Sequence, residues 1–195
     1  MKNCYCVSAI VTLLCMPAFA ALKLGGHAPD FIARASLAGK AFDFSLREAL
    51  RKGPVVLYFY PSGYTGGCDI EAHTFAESRD RFEAAGATII GVSEDSISRL
   101  NQFSADPNYC AGRFPVASDP GGKIAESYGL TVSAGKPGMK DVRGIDIGHD
   151  FIERETFVIG NDHKILAAFS SKADHLSPEA HVTKSLEIVQ QLVSK

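Results

Sequence analysis

The sequence predicts one α/β domain, a central mixed sheet flanked by helices. Three observations carry this. The chain has 195 residues and is 46% hydrophobic, which suits one globular core. Two β-branched and aromatic runs, residues 55–60 and 87–93, read as buried strands separated by a stretch of helical period. Strands and helices then continue to alternate to the end of the chain.

Val55 to Tyr60, bounded by Pro54 and Pro61, reads as the central strand. A Gly-rich turn, Ser62 to Gly67, leads to a helix reaching about Ala85. Ala72, Phe75, Phe82 and Ala85 share one face of that helix, and Gly86 stops it. Ala87 to Ser93 is a second core strand. Asp95 then caps a helix that ends before Pro107. Phe114 to Ser118 reads as a short strand, and Asp119-Pro120 as a cap and first-position proline for a helix ending at Gly129. Residues 131–150 hold four glycines, one proline and little periodicity, the pattern of a surface excursion. Arg154 to Ile159 and Lys164 to Phe169 form a hairpin, and Ser177-Pro178 opens a closing amphipathic helix. This is the element order of a thioredoxin-like sheet with helices on both faces.

The first twenty residues stand apart. Lys2, the apolar run Val7 to Met16 and Ala18-Phe19-Ala20 read as a signal peptide with its cleavage site, so the domain proper is 21–195. That reading places the chain outside the cytoplasm, in the periplasm, and takes Cys4, Cys6 and Cys15 away with the signal. Cys68 and Cys110 remain. In an oxidising compartment such a pair is either a structural bridge or a redox couple. A net charge of −2 gives no electrostatic reason to expect nucleic acid or an anionic membrane as partner. Metal-ligand spacing is missing, with no C-x-x-C and no H-x-x-x-H, and no cofactor motif is present.

Cys68 stands where a core strand hands over to a helix. Unpaired N–H groups and the helix dipole favour an anion there, so the thiolate, the nucleophilic form, is expected to be favoured. Thr65 can turn its hydroxyl into the same pocket, and Gly66 and Gly67 allow backbone amides to face a small ligand. An inert buried thiol is the ordinary alternative for a lone cysteine. What the local sequence does not supply is a cation.

Pro61-Ser62-Gly63-Tyr64-Thr65-Gly66-Gly67-Cys68 has the P-x-x-x-T-x-x-C pattern of the peroxiredoxins. With Tyr58-Phe59-Tyr60 before it and Glu71 and Phe75 after it, it resembles the Q-type, or bacterioferritin-comigratory, branch. Leu24 to Phe31, Phe114 to Pro120 and Arg154 to Ile159 resemble further family segments, in order along the chain. The resemblance implies a thiol peroxidase in which Cys68 attacks a hydroperoxide and becomes a sulfenic acid. Thr65 and Arg154 would hold thiolate and peroxide, Pro61 would shield the site, and Cys110 would resolve the sulfenic acid as a disulfide. It implies a hydroperoxide substrate, an unidentified thiol reductant with thioredoxin-like proteins among the candidates, and a monomer or weak homodimer.

Three positions depart from the family pattern. Gly66 stands where proline is usual, His73 where many Q-type members carry the resolving cysteine, and residues 131–150 are longer than usual. Two other readings share the fold. A thiol-disulfide oxidoreductase would want a second cysteine where this chain has Glu71. A non-catalytic module would keep Cys68 and Cys110 as a permanent staple.

Overall fold

The computed structural model describes residues 22–194. The expected signal segment and Cys4, Cys6 and Cys15 lie outside the described residues.

The organising element is β3 (Val55–Phe59), all of whose residues are buried. Side chains alternate across a strand. Val55, Leu57 and Phe59 therefore enter one apolar cluster, and Val56 and Tyr58 another, on the opposite face. β4 (Thr88–Ser93) runs parallel to β3, and β8 (Glu155–Ile159) runs antiparallel on its other side. β1 (Ile32–Leu37), β2 (Lys40–Ser45), β5 (Val116–Ser118) and β9 (Ile165–Ser170) complete a mixed seven-stranded sheet, in the order β2-β1-β5-β4-β3-β8-β9.

α2 (Gly66–Ala84), α3 (Ile97–Ala105) and α5 (Pro178–Val193) cover the Tyr58 face. α1 (Leu46–Leu50) and α4 (Lys123–Ser127) cover the other. Tyr58 lies across Gly91 of β4, where a Cβ would stand 2.5 Å from its ring. Glycine is required there for the Tyr58 ring to lie across β4.

The sequence expectations are met for β3, β4, the β8–β9 hairpin, α2 with Gly86 behind it, and α5 capped by Ser177 with Pro178 inside. The β1–β2 hairpin and α1 were not predicted. Their alternation rests on small residues, Ala33 and Ala35, and the turn uses Ala38 in a left-handed conformation, φ 49°, before Gly39. Two caps differ from expectation. Ser96, not Asp95, caps α3, and its hydroxyl accepts from the Arg99 amide. α4 starts at Lys123, so Pro120 is not its first residue. Asp119 still serves it from outside, accepting from the amides of Ile124 and Ala125.

The 131–150 excursion leaves and returns through a two-stranded ribbon, β6 (Val132–Ser133) and β7 (Phe151–Ile152).

Candidate active site

The site forms where β3 ends and α2 begins. Thr65 is the N-cap of α2 in extended conformation, and the amides of Cys68 and Asp69 both bond to its carbonyl, at 2.8 and 3.0 Å. The Cys68 amide is therefore occupied by the chain itself. A helix start tightened in this way spends one of its orphan donors internally. The Thr65 hydroxyl donates to the Ser62 carbonyl at 2.7 Å. Pro61 stands half-buried at the exit of β3.

Arg154, just ahead of β8, reaches this helix mouth from beside the strand next to β3, distant in sequence but adjacent in the sheet. Its Nη2 lies 3.1 Å from Cys68 Sγ, and its Nη1 donates to Glu71 Oε2. Gly67 eases the approach, since a Cβ there would crowd Pro178 Cγ at 3.3 Å and touch Nη2 at 3.4 Å. The structure thus brings Cys68, Thr65 and Arg154 together and adds Glu71, which the sequence offered only as a neighbour of the motif. The missing signal is tertiary: a glutamate one turn after a cysteine looks like any helix-surface residue.

One guanidinium serves two acids. Burial raises the Cys68 thiol, and Arg154, the Thr65 hydroxyl and the Ser62 backbone offset it only in part, while Glu71 adds to the rise. Burial likewise pushes Glu71 up against the pull of Arg154. The sulfur is thus more enclosed than expected. In this closed arrangement desolvation outweighs the cation, so the thiol is raised where the helix mouth alone was expected to lower it. His181 adds no charge. Its ring is held between Thr156 Oγ1 and Ser171 Oγ, each at 2.9 Å, and burial with the nearby Arg154 lowers it to about 4.

Cys110 sits in the turn after α3, buried in the same apolar cluster as Cys68. Both are free thiols. Tyr64, in the turn before Cys68, packs edge-on against Tyr109 with centroids 5.2 Å apart, so the two cysteine-bearing segments are neighbours. Burial, with Asp106 and Asp69, raises Cys110 well above an ordinary thiol. His73 points outward and pairs with Glu77 at 3.4 Å, away from the sulfur.

The AhpC/TSA family model matches residues 24–168. Peroxiredoxin Q of rice, chloroplastic, is 29% identical over 168 residues, which is 86% of this chain and 67% of that one. The crystal structure of the peroxidoxin BcpB from Mycobacterium tuberculosis superposes with a TM-score of 0.70 at 29% identity, covering 87% of this chain and 97% of that one. The bacterioferritin comigratory protein of Xanthomonas campestris, studied for alkyl peroxide reduction, gives 0.62 at 26% identity, covering 81% and 90%. The fold of these proteins is the thioredoxin-like mixed sheet seen here. The chain belongs to the AhpC/TSA family, within which it is a thiol-dependent peroxidase similar to the Q-type peroxiredoxins.

Proposed function

We propose that Cys68 is the peroxidatic nucleophile, Cys110 the resolving thiol, and Thr65, Arg154 and Pro61 the residues that set the site, in a protein exported to the periplasm. The observation that carries this is the guanidinium of Arg154 at 3.1 Å from Cys68 Sγ.

In the first step the thiolate attacks one peroxide oxygen and the O–O bond breaks. Cys68 becomes a sulfenic acid, and the other oxygen leaves as water or an alcohol after taking a proton. Negative charge passes from sulfur to the departing oxygen. The forked donors of Arg154 already lie beside the sulfur and follow that charge without reorganising, while the Thr65 hydroxyl must turn from the Ser62 carbonyl to supply a second donor. Pro61 shields the sulfenic acid from water.

In the second step Cys110 attacks the Cys68 sulfur, the S–O bond breaks and water leaves, giving a disulfide. Proximity of the two segments through Tyr64 and Tyr109 supports this pairing, and burial of both sulfurs requires local opening before they meet. An external thiol reductant of thioredoxin type then restores both thiols. The reductase reading with a second active-site cysteine is disfavoured because Glu71 fills that place and pairs with Arg154.

The test follows thiol loss in reduced protein mixed with hydrogen peroxide or an organic hydroperoxide. Cys68→Ser is expected to abolish the reaction. Cys110→Ser is expected to complete one turnover and then stall or over-oxidise. Peptide mapping of peroxide-treated protein that finds no Cys68–Cys110 linkage would replace this scheme with a one-cysteine mechanism.

A further inference from the structure

Tyr64 is an anomaly beside the site. Its φ of +60° places a bulky aromatic residue in the left-handed region, where such side chains are rare. A conformation of this kind persists only where surrounding structure imposes it. Much of what surrounds the turn comes from the 131–150 excursion.

The Val142 amide donates to the Tyr64 carbonyl at 3.0 Å, and the Arg143 guanidinium carbon stands over the Tyr64 ring, 3.2 Å from its centroid. Arg143 is itself held by Asp141, Nη2 to Oδ2 at 2.7 Å, and by Gln102 at 2.9 Å. Asp141 ties in turn to Arg99 at 2.8 Å, and Arg99 donates to the Gly63 carbonyl at 3.0 Å. On the inner side Asp95 accepts from the Gly63 amide at 2.7 Å and from the Ser62 hydroxyl at 2.8 Å. His149, at the end of the excursion, closes the ring with Nε2 2.8 Å from Asp95 Oδ1. Every residue from Ser62 to Tyr64 is thus gripped by a charge network whose Asp95, Arg99 and Asp141 are buried, half of it supplied by the excursion. Thr65 and Cys68 follow directly.

We propose that Tyr64 and Arg143 are positioning residues of the peroxidase reaction, with the 131–150 excursion acting as the clamp on the turn ahead of Cys68. Clamped, the strained turn fixes Thr65 and the first turn of α2 against Arg154 and sets the geometry of peroxide attack. Released, Tyr64 relaxes out of the left-handed region, and Cys68 gains the freedom to reach Cys110. The second half rests on Cys110 being the resolving thiol. Tyr64 suits this double duty because its ring touches Arg143 on one side and Tyr109, beside Cys110, on the other.

A clamp makes the two chemical steps respond in opposite directions, which a general loss of stability does not. Sulfenic acid formation is read with hydrogen peroxide and dimedone trapping in the Cys110→Ser background. Disulfide closure is read by rapid quench in the chain with both cysteines. Arg143→Met is expected to slow attack about tenfold, through lost orientation, while disulfide closure accelerates. Arg143→Lys, which keeps a cation over the ring but loses the fork on Asp141, is expected to fall between. Tyr64→Gly, which removes ring and strain together, is expected to show the same opposed pair. Both rates unchanged, or both lowered together, in Arg143→Met and Tyr64→Gly would overturn the clamp. If the unsubstituted chain forms no Cys68–Cys110 linkage, the resolving assignment fails, while the attack rate still reads the clamp.

Discussion

Cys68 and Cys110 are both buried thiols facing the same apolar cluster, yet their surroundings differ in charge. Cys68 has a guanidinium at 3.1 Å, a threonine hydroxyl and the start of a long helix beside it. Cys110 has aromatic rings and the carboxylates of Asp106 and Asp69, and everything acting on it pushes the thiol up. Burial alone therefore does not distinguish a nucleophile from its partner. The distinction is the cation carried in from β8, which offsets a desolvation cost that Cys110 bears in full.

The largest expected effect removes that distinction. Arg154→Met removes the largest of the compensations that Cys68 has and Cys110 lacks. Stopped-flow measurement of the first turnover is expected to show attack slowed about 10²–10³-fold, the usual loss for one preorganised donor to developing charge. A loss of less than threefold would mean that the guanidinium is a structural ion-pair partner of Glu71 only.

A second expectation concerns pH. The folded protein holds the protons of both thiols more tightly than the unfolded chain does. A raised acid contributes stability that is complete below its unfolded pKa and lost as pH climbs through the folded one. Thermal unfolding is thus expected to show a falling Tm above the ordinary thiol range. The Cys110→Ala variant should have a shallower alkaline decline than the parent, because the thiol shifted furthest has gone. An identical slope in the two would assign the decline to other groups.

The smallest effect sharpens the helix start on which Cys68 stands. Gly66 is the first residue of α2, a Cβ there meets nothing within 4 Å, and Thr65 already has the extended backbone that precedes a proline. Gly66→Pro is expected to stabilise the fold by about 0.4–1 kcal/mol through the unfolded chain, read as a raised Tm. A lowered Tm would show that the turn needs glycine at this place.

These residues also mark how far the sequence reaches. The β3 run, the helix behind Cys68 and the β8–β9 hairpin were legible because their periodicity and bounding prolines and glycines are local signals. Cys68 and Thr65 were legible as a helix mouth for the same reason. Arg154 was not, since it stands far along the chain and only the family motif pointed to it. Asp95 misled because an acid after a strand and ahead of a helix has the local signature of a cap, while its partners Gly63 and His149 come from distant segments. The enclosure of Cys68 and Cys110 also escaped a one-dimensional reading. A helix start attracts anions in isolation, but the aromatic side chains of β3 and α2 that bury it are assembled only by the fold.

The most direct measurement compares the pH dependence of Cys68 alkylation by iodoacetamide in the Cys110→Ser protein with and without Arg154→Met. With the guanidinium offsetting burial, the midpoint is expected to lie lower in the protein that keeps Arg154 and to move upward when it is lost. Coincident midpoints would contradict the claim that this cation sets Cys68 apart.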